Sequence, residues 1–480
     1  MKEINGFMEN IIKYTTRKVG TYMTTGILII SGFVIFAVLM ATKKLSTLLA
    51  LPLMAAWVAG VAGLSLPVYL NTILLGGAMK LGSAMAVVIF GAMFARVIMK
   101  TGIADALIKT AAELAGDQPV TIALVMSLAT VFVFLGLSGL GAVIMVGSIA
   151  LPIMTGAGIK PVDAVVLQLF ALGTGLAANT ANYGLWIGIF GGEAVPHYYL
   201  PAFLVTLLAM LSYLCIHVRQ PEGGFAPGRL IGGFLSGVLS LPGSLIRALL
   251  HALHQKPAPL VKERREVPAA AFLAPLLPII IVFGARAVFG FGKAENGMVD
   301  PVAAALFGFV FASLYAALLV RPGQVMQIFT GALVDGIRDV AGVIFLFMGI
   351  GMLVASVMHP QVAAVLDPML RAVVPQSHWA LFAFFTILSP AALYRGPLNM
   401  FGMGAGIAVL MMSLGTIPAA VLCGIFIAVA NMQAADPTNS QNVWLSGFAN
   451  VDPNDVLKKM LPFAWAECCV LMLYVTLTQW

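Results

Sequence analysis

Charge is scarce in this chain: 26 basic and 19 acidic side chains make up 9% of 480 residues, against about 25% in soluble domains. That excludes a water-soluble enzyme and a nucleic-acid-binding protein, whose surfaces depend on the missing charge. Cysteine is scarce too. Cys215, Cys423, Cys468 and Cys469 lie in apolar runs with no CxxC spacing, which excludes a disulfide framework or a thiolate metal site and leaves them as packing residues. There is no HExxH, no GxSxG, no glycine-rich phosphate loop ending in Lys-Ser or Lys-Thr, and no paired Tyr-Asp and GxGD. The chain therefore has neither an ATPase engine nor recognisable hydrolytic machinery. Alternating ten-residue segments are missing, which excludes a transmembrane barrel. No small-residue cleavage site follows the basic stretch Met1 to Gly20 with Lys2, Lys13, Arg17 and Lys18, so the first helix is expected to stay in the mature protein.

What is abundant is apolar sequence. The hydrophobic set makes up 61% of the chain, the mean hydropathy is +1.01, and runs such as Thr25 to Ala41 and Pro119 to Leu137 are long. A helix needs roughly 20 apolar residues to cross a bilayer. The reading is an all-α polytopic membrane protein with about 10 to 13 crossings, some segments being short enough for re-entrant arms or halves of discontinuous helices. The long polar interruption, Arg219 to Pro268, is rich in Arg and Lys; by the positive-inside rule it is cytoplasmic, and Leu230 to Leu253 within it could lie on the membrane as an amphipathic helix. The net charge of +7 reflects this topology, and the expected location is a bacterial inner membrane.

The linker separates two halves that repeat each other. A shift of 257 places Gly139 on Gly396, Gly147 on Gly404, Met154 on Met411, Gly158 on Gly415, Pro161 on Pro418, Ala171 on Ala428, Ala177 on Ala434, Ala178 on Ala435 and Asn182 on Asn439. The co-linear polar breaks carry more weight than these identities in a Gly/Ala-rich chain. Expected units are scaffold helices over 1–80, a first transport repeat over 81–217, the basic linker over 218–268, scaffold helices over 269–340, a second transport repeat over 341–450 and a C-terminal helix over 451–480.

Two kinds of break recur in each half: 136–141 pairs with 389–399, and 174–182 with 431–442. An unsatisfied backbone group in hydrocarbon costs several kcal/mol, so irregular backbone survives there only inside protein or beside a water-filled cavity. Paired interruptions of this kind point to the binding site of a secondary transporter, where half-helix N-termini face an anion and freed carbonyls hold a cation. Small residues at 138–141 also suit close helix packing, and 436–442 also suits an external loop. Arg395, a permanently charged guanidinium between apolar segments, fits a carboxylate bidentately, with interfacial snorkelling or structural pairing as the alternative. Asp436, in a break beside Pro437, suits a sodium ion or a proton, or a salt bridge to Arg395. Arg96, Lys80, Asp163 and Arg371 are expected at membrane interfaces, Asp335, Arg338 and Asp339 as a surface cluster, and Glu193, His197, His359 and Glu467 as structural residues or relays.

Leu81-Gly82-Ser83, Gly91-Ala92-Met93, Lys100-Thr101-Gly102-Ile103-Ala104, Leu151-Pro152-Ile153 and Gly158-Ile159 resemble the ion-transporter superfamily, especially its gluconate permease, citrate symporter and C4-dicarboxylate carrier branches. The resemblance spans about 81–192 and 341–450. It implies two inverted repeats with re-entrant hairpins and discontinuous helices, elevator-type, often in a homodimer. It assigns the hairpin-tip role to Ser138, Gly139, Arg395 and Gly396, with Asn399 nearby, and the unwound-helix role to Asn179, Thr180, Asn182, Thr438, Asn439 and Ser440. Thr174, Asn431 and Asp436 are the candidate cation-coupling groups. Dicarboxylate members carry Ser-Asn-Thr where this chain reads Asn179-Thr180-Ala181-Asn182 and Thr438-Asn439-Ser440. The resulting expectation is a symporter for a small organic anion, a carboxylate, driven by H+ or Na+ across the lipid bilayer, with no organic cofactor and Na+ only as a possible coupling ion. The alternative is a cation/proton antiporter; an uncoupled channel or membrane-embedded enzyme is disfavoured by the repeat and the missing motifs.

Overall fold

The structure, a computed structural model, describes residues 23–218 and 267–479 apart from 37, 41, 43, 116, 117, 181, 193, 291–295, 376, 402, 403 and 414. Met1 to Gly20, Glu193 and almost all of the basic linker with its amphipathic segment lie outside the described residues. The described chain is helical throughout, and eight of its helices are long and apolar enough to cross a membrane, with six shorter apolar helices beside them.

The helices are α1 (Met23–Met40), α2 (Thr47–Val61), α3 (Gly82–Thr101), α4 (Ile103–Leu114), α5 (Pro119–Phe134), α6 (Leu140–Gly156), α7 (Pro161–Ala177), α8 (Tyr183–Phe190) and α9 (Tyr199–Tyr213). After the linker come α10 (Leu277–Phe289), α11 (Pro301–Val320), α12 (Val325–Val357), α13 (Pro360–Val373), α14 (His378–Leu388), α15 (Gly404–Ser413), α16 (Ala419–Asn431), α17 (Ser440–Phe448) and α18 (Pro453–Thr478). Proline opens α5, α7, α11, α13 and α18, the position where its missing N–H and fixed φ suit a helix. Asp300 and Asp452 cap α11 and α18 through bonds from the N–H groups of Val302 and Asn454 at 2.7 and 2.8 Å.

The two halves follow one order: α3 to α9 with α12 to α18. Each has a long helix, a short amphipathic helix (α4, α13), a hairpin (α5–α6, α14–α15), a helix that breaks (α7–α8, α16–α17) and a closing span. The hairpins return to the broken helices through turns at Gly158 and Gly415, both left-handed with φ of +89° and +62°, followed at the same interval by Pro161 and Pro418. Across the halves, α8 packs on α16 and α15, while α17 packs on α7 and α6. The part after each break thus lies against the part before the other break, the antiparallel crossing that inverted repeats require.

The first helix of each half begins well before its expected start. Residues 66–101 form an almost continuous helical segment with a π-helical stretch at Tyr69–Gly76, and α12 is unbroken from Val325, so a boundary at 340/341 falls inside a helix. With its lead-in, this second segment covers 36 residues, about 54 Å at 1.5 Å per residue, well beyond the bilayer core of about 30 Å. The reason lies in α3. Asp339 pairs with Arg96 at 2.5 Å and Asp335 with Lys100 at 2.7 Å, so these acids find bases across the helix contact instead of forming only a surface cluster; Arg338 reaches Asp335 at 3.7 Å. Arg96 is likewise held against α12. Glycines make the approach possible: a Cβ on Gly336 would lie 2.7 Å from the Met93 nitrogen, and one on Gly351 2.2 Å from the Gly77 carbonyl oxygen. Gly351→Val is therefore expected to destabilise the protein by about 3 kcal/mol or more, the upper end for overpacking because the obstacle is backbone; a thermal melt in detergent checks it.

α2 packs on α12, and α11 packs on α3 and on α10, so the long first helices sit with the non-repeated helices. The remaining helices of both halves gather around α7, α16 and α18.

Candidate functional site

Asn179 organises the first break. It is fully buried, and its Nδ2 donates to the carbonyls of Phe134 and Leu137 at 2.9 Å each. These carbonyls end α5 and begin the hairpin tip, so one amide ties the tip 135–139 to the place where α7 stops. Gly175 lets α5 come close: a Cβ there would meet the Phe134 Cβ at 2.6 Å and the Val131 carbonyl at 2.7 Å. Gly139 closes the tip with φ +89°, ψ 163°, a conformation that favours glycine. Ser138 is half-buried and Gly139 exposed at the tip.

The second break repeats the backbone bonds of the first. Asn179 N–H donates to Leu176 O and Asp436 N–H to Gln433 O, both at 3.2 Å. Asn182 N–H donates to Asn179 O and Asn439 N–H to Asp436 O, both at 3.1 Å. The side-chain amides follow suit: Asn182 Nδ2 donates to Leu176 O at 3.2 Å, and Asn439 Nδ2 to Gln433 O at 2.6 Å. The two asparagines matched in sequence thus satisfy the same carbonyl, six residues back, that the broken helix frees. Asp436 takes the place of Asn179 and is fully buried. Its Oδ1 accepts from the Thr438 N–H at 2.8 Å and from the Thr438 hydroxyl at 2.7 Å, an Asx turn that fixes the carboxylate. Asn442 Nδ2 donates to Ala434 O at 2.8 Å, further bracing the break from α17.

The second tip departs from the first. The 3-10 turn Ser389–Arg395 contains Tyr394 in the left-handed region, φ 54°, ψ 35°, a strained position for a tyrosine; its hydroxyl donates to Asn454 Oδ1 at 3.0 Å. Gly396 is extended, and α15 begins only at Gly404, seven residues later than the repeat shift of 257 places it. Asn399 holds this longer irregular tip: its Nδ2 donates to Ala392 O at 3.3 Å and its Oδ1 accepts from Phe401 N–H at 3.0 Å. Ser389–Arg395 packs on the 3-10 turn Met432–Ala435, so tip and break meet in the second half as in the first. Of Arg395 the structure describes the backbone.

The two breaks meet within one bundle. A Cβ on Gly173 would touch that of Ala434 at 3.9 Å, and Gly147 is covered by Leu445 and Trp444 of α17. Ser138, Gly139, Asn182, Thr438, Asn439 and Ser440 keep some exposure, while Asn179, Asn399 and Asp436 are buried behind them. Thr180 points elsewhere: it lines a cavity of about 20 Å³ with Val87, Tyr199, Val282 and Pro301, and its hydroxyl has no partner. Thr174 donates to Phe170 O at 2.8 Å, whereas Asn431 Nδ2 is unpartnered. The sequence reading passed over Gln168, buried in α7 with its Nε2 unpartnered beside a second cavity of about 10 Å³; a polar residue in a Val/Leu run was the available signal.

Asp163, expected at an interface, is buried at the start of α7, where it accepts from Lys459 Nζ at 2.5 Å and from the Tyr213 hydroxyl at 2.6 Å. Lys459→Met leaves that carboxylate with a single donor and is expected to cost about 3 kcal/mol, read as a lowered melting temperature that Asp163→Asn in the same chain largely restores.

A structure of the YdaH transporter of Alcanivorax borkumensis, described as having an unusual topology, matches 92% of this chain and 96% of its own with a TM-score of 0.52 and 16% identity. The chain shares the fold of that transporter. No family profile and no curated protein matches it. At this identity the likeness concerns fold alone, and it does not reach the gluconate, citrate or dicarboxylate branches.

Proposed function

We propose that this chain is a secondary active transporter that moves a small organic anion, a carboxylate, across the cytoplasmic membrane with H+ or Na+. The observation that carries the reading is the pair of matched breaks, bonded alike at Asn182 and Asn439 and crossing antiparallel, with a buried carboxylate at Asp436 in one of them. The transporter fold shared with YdaH supports it. In this reading Asn179, Asn182, Asn399 and Asn439 hold the backbone open, since their amides are engaged with it. Ser138, Gly139, Gly396, Thr438 and Ser440 line the solute, and Thr180 supports the first break from its outer side. Arg395 takes the carboxylate of the solute, and Asp436, with Asn431 five residues before it and Thr174, the repeat counterpart of Asn431, serves the coupling ion. Rigid-body elevator movement within a homodimer belongs to the same proposal.

A thermal-shift screen of the purified protein against sugar acids, di- and tricarboxylates and inorganic ions tests it. One carboxylate class should stabilise the protein, by about 2.7 kcal/mol at a hundred times its Kd, and Arg395→Ala should remove the shift. Unchanged affinity in that variant contradicts the ligand role, and stabilisation by sodium alone favours the cation/proton antiporter.

A further inference from the structure

The breaks do not account for one buried acid. Glu467 lies in the body of α18, a span of 26 residues, with its side chain 4% exposed and its Oε1 without a hydrogen-bond partner. It stands 14 residues from one end of α18 and 11 from the other, near the middle of any bilayer the helix crosses.

Register places it beside the second break. A Cβ on Gly424 would lie 2.4 Å from Val475, and α16 packs on α18. Eight residues along α16 lead to Met432 and eight back along α18 lead to Glu467, equal rises of about 12 Å in two antiparallel helices. The turn Met432–Ala435 packs on α18, as this register requires. Other unpartnered polar atoms lie on the same elements: Asn431 Nδ2, Gln433 Nε2, Asn442 Oδ1 and Ser446 Oγ, with Glu467 Oε1, come from the second break, its two helices and α18. Buried polar atoms are seldom left unpaired in quantity without a water or ion to satisfy them.

The ionisable neighbours are few. On α7, Asp163 is paired with Lys459 and with Tyr213 of α9, two turns away from Glu467 along α18, and His217 stacks on Tyr213 and meets Phe463, one turn from Glu467. Tyr198, just before α9, and Cys423 of α16 lie toward the opposite end, near Tyr474 and Val475. Cys468 and Cys469 adjoin Glu467 on α18, while Asp452, Asp455 and Lys458 cluster at its start, where the tip's Tyr394 reaches Asn454. His378 opens α14, Arg395 ends the tip turn, Asp436 follows Met432–Ala435, and α17 contributes no charge. No described basic side chain forms an ion pair with Glu467. An unpaired carboxylate at such depth is expensive, whereas the neutral acid is tolerated and can give up its proton when water or a charge arrives.

We propose that Glu467 is the proton-coupling site of the carrier: it takes up a proton from one aqueous phase, forming a carboxylic O–H, and returns it to the other when that bond breaks, in step with movement of the second break. This rests on the carrier reading and makes H+ the coupling ion, carried on Glu467, while Asp436 keeps its place in the transport site of the second break.

Two measurements on the full chain in bilayers test it. Infrared spectra should contain the carbonyl stretch of a buried protonated carboxylic acid, shifted in deuterium oxide and missing from Glu467→Gln; a spectrum unchanged by that substitution overturns the proposal. In proteoliposomes, Glu467→Gln should lose pH-gradient-driven accumulation of the carboxylate found in the ligand screen, at least tenfold, yet keep exchange of labelled for unlabelled solute. Accumulation equal to wild type overturns the proposal. Should Glu467→Gln not fold, Glu467→Asp must shift the pH profile of uptake, and an unshifted profile is equally fatal. If the wild type moves no carboxylate, the carrier reading fails, while the infrared result separately decides whether Glu467 holds a proton.

Discussion

Asn179→Leu is expected to abolish solute uptake and to destabilise the protein by about 2 to 6 kcal/mol. The amide of Asn179 is the donor for two buried carbonyls, Phe134 O and Leu137 O. Leucine fills similar space but leaves both without that partner, and an unsatisfied buried polar group costs about 1 to 3 kcal/mol. The same bonds tie the first tip to the first break, so their loss frees the tip as well as weakening the fold. Asn179→Asp, which keeps the shape but replaces the donor with an acceptor, should be as damaging. Chemical or thermal denaturation in detergent, alongside uptake, checks both. Wild-type stability in either variant would mean that the tip does not depend on this amide.

Asp436→Asn is expected to lower gradient-driven uptake roughly a hundredfold or more while leaving the melting temperature close to that of wild type. Asparagine retains an Oδ1 that can accept from the Thr438 N–H and hydroxyl, so the turn survives while the charge is lost. A charge that stabilises the loaded or moving carrier by about 3 kcal/mol changes the rate roughly a hundredfold, each 1.36 kcal/mol being a factor of ten. Asp436→Ala removes the acceptor too and should fail in both measurements. Equal uptake by wild type and Asp436→Asn would take Asp436 out of the transport cycle.

Much of this architecture was legible in the sequence because the bilayer enforces it. A helix that stops in hydrocarbon must satisfy the carbonyls it frees, and Asn182 and Asn439, aligned by a simple shift, do so identically. The turns at Gly158 and Gly415 and the prolines after them were equally readable. Other features depend on partners far away in sequence. Asp335 and Asp339 read as a surface cluster because their bases, Lys100 and Arg96, belong to the other repeat. Thr180 reads as a solute ligand, but packing turns it toward Tyr199 and Val282. The second tip looked like a copy of the first, yet the left-handed residue falls on Tyr394 rather than on Gly396, and the returning helix begins late. Glycine marks a left-handed turn openly in sequence; a strained tyrosine does not. Glu467 looked like a lone residue until the register of α16 against α18 set it beside the second break.

Uptake of a labelled carboxylate by the purified protein in liposomes tests the central claim most directly. Accumulation should appear only when a proton or sodium gradient is imposed and should vanish when both are collapsed. Uptake that continues unchanged with both gradients collapsed would contradict coupled transport.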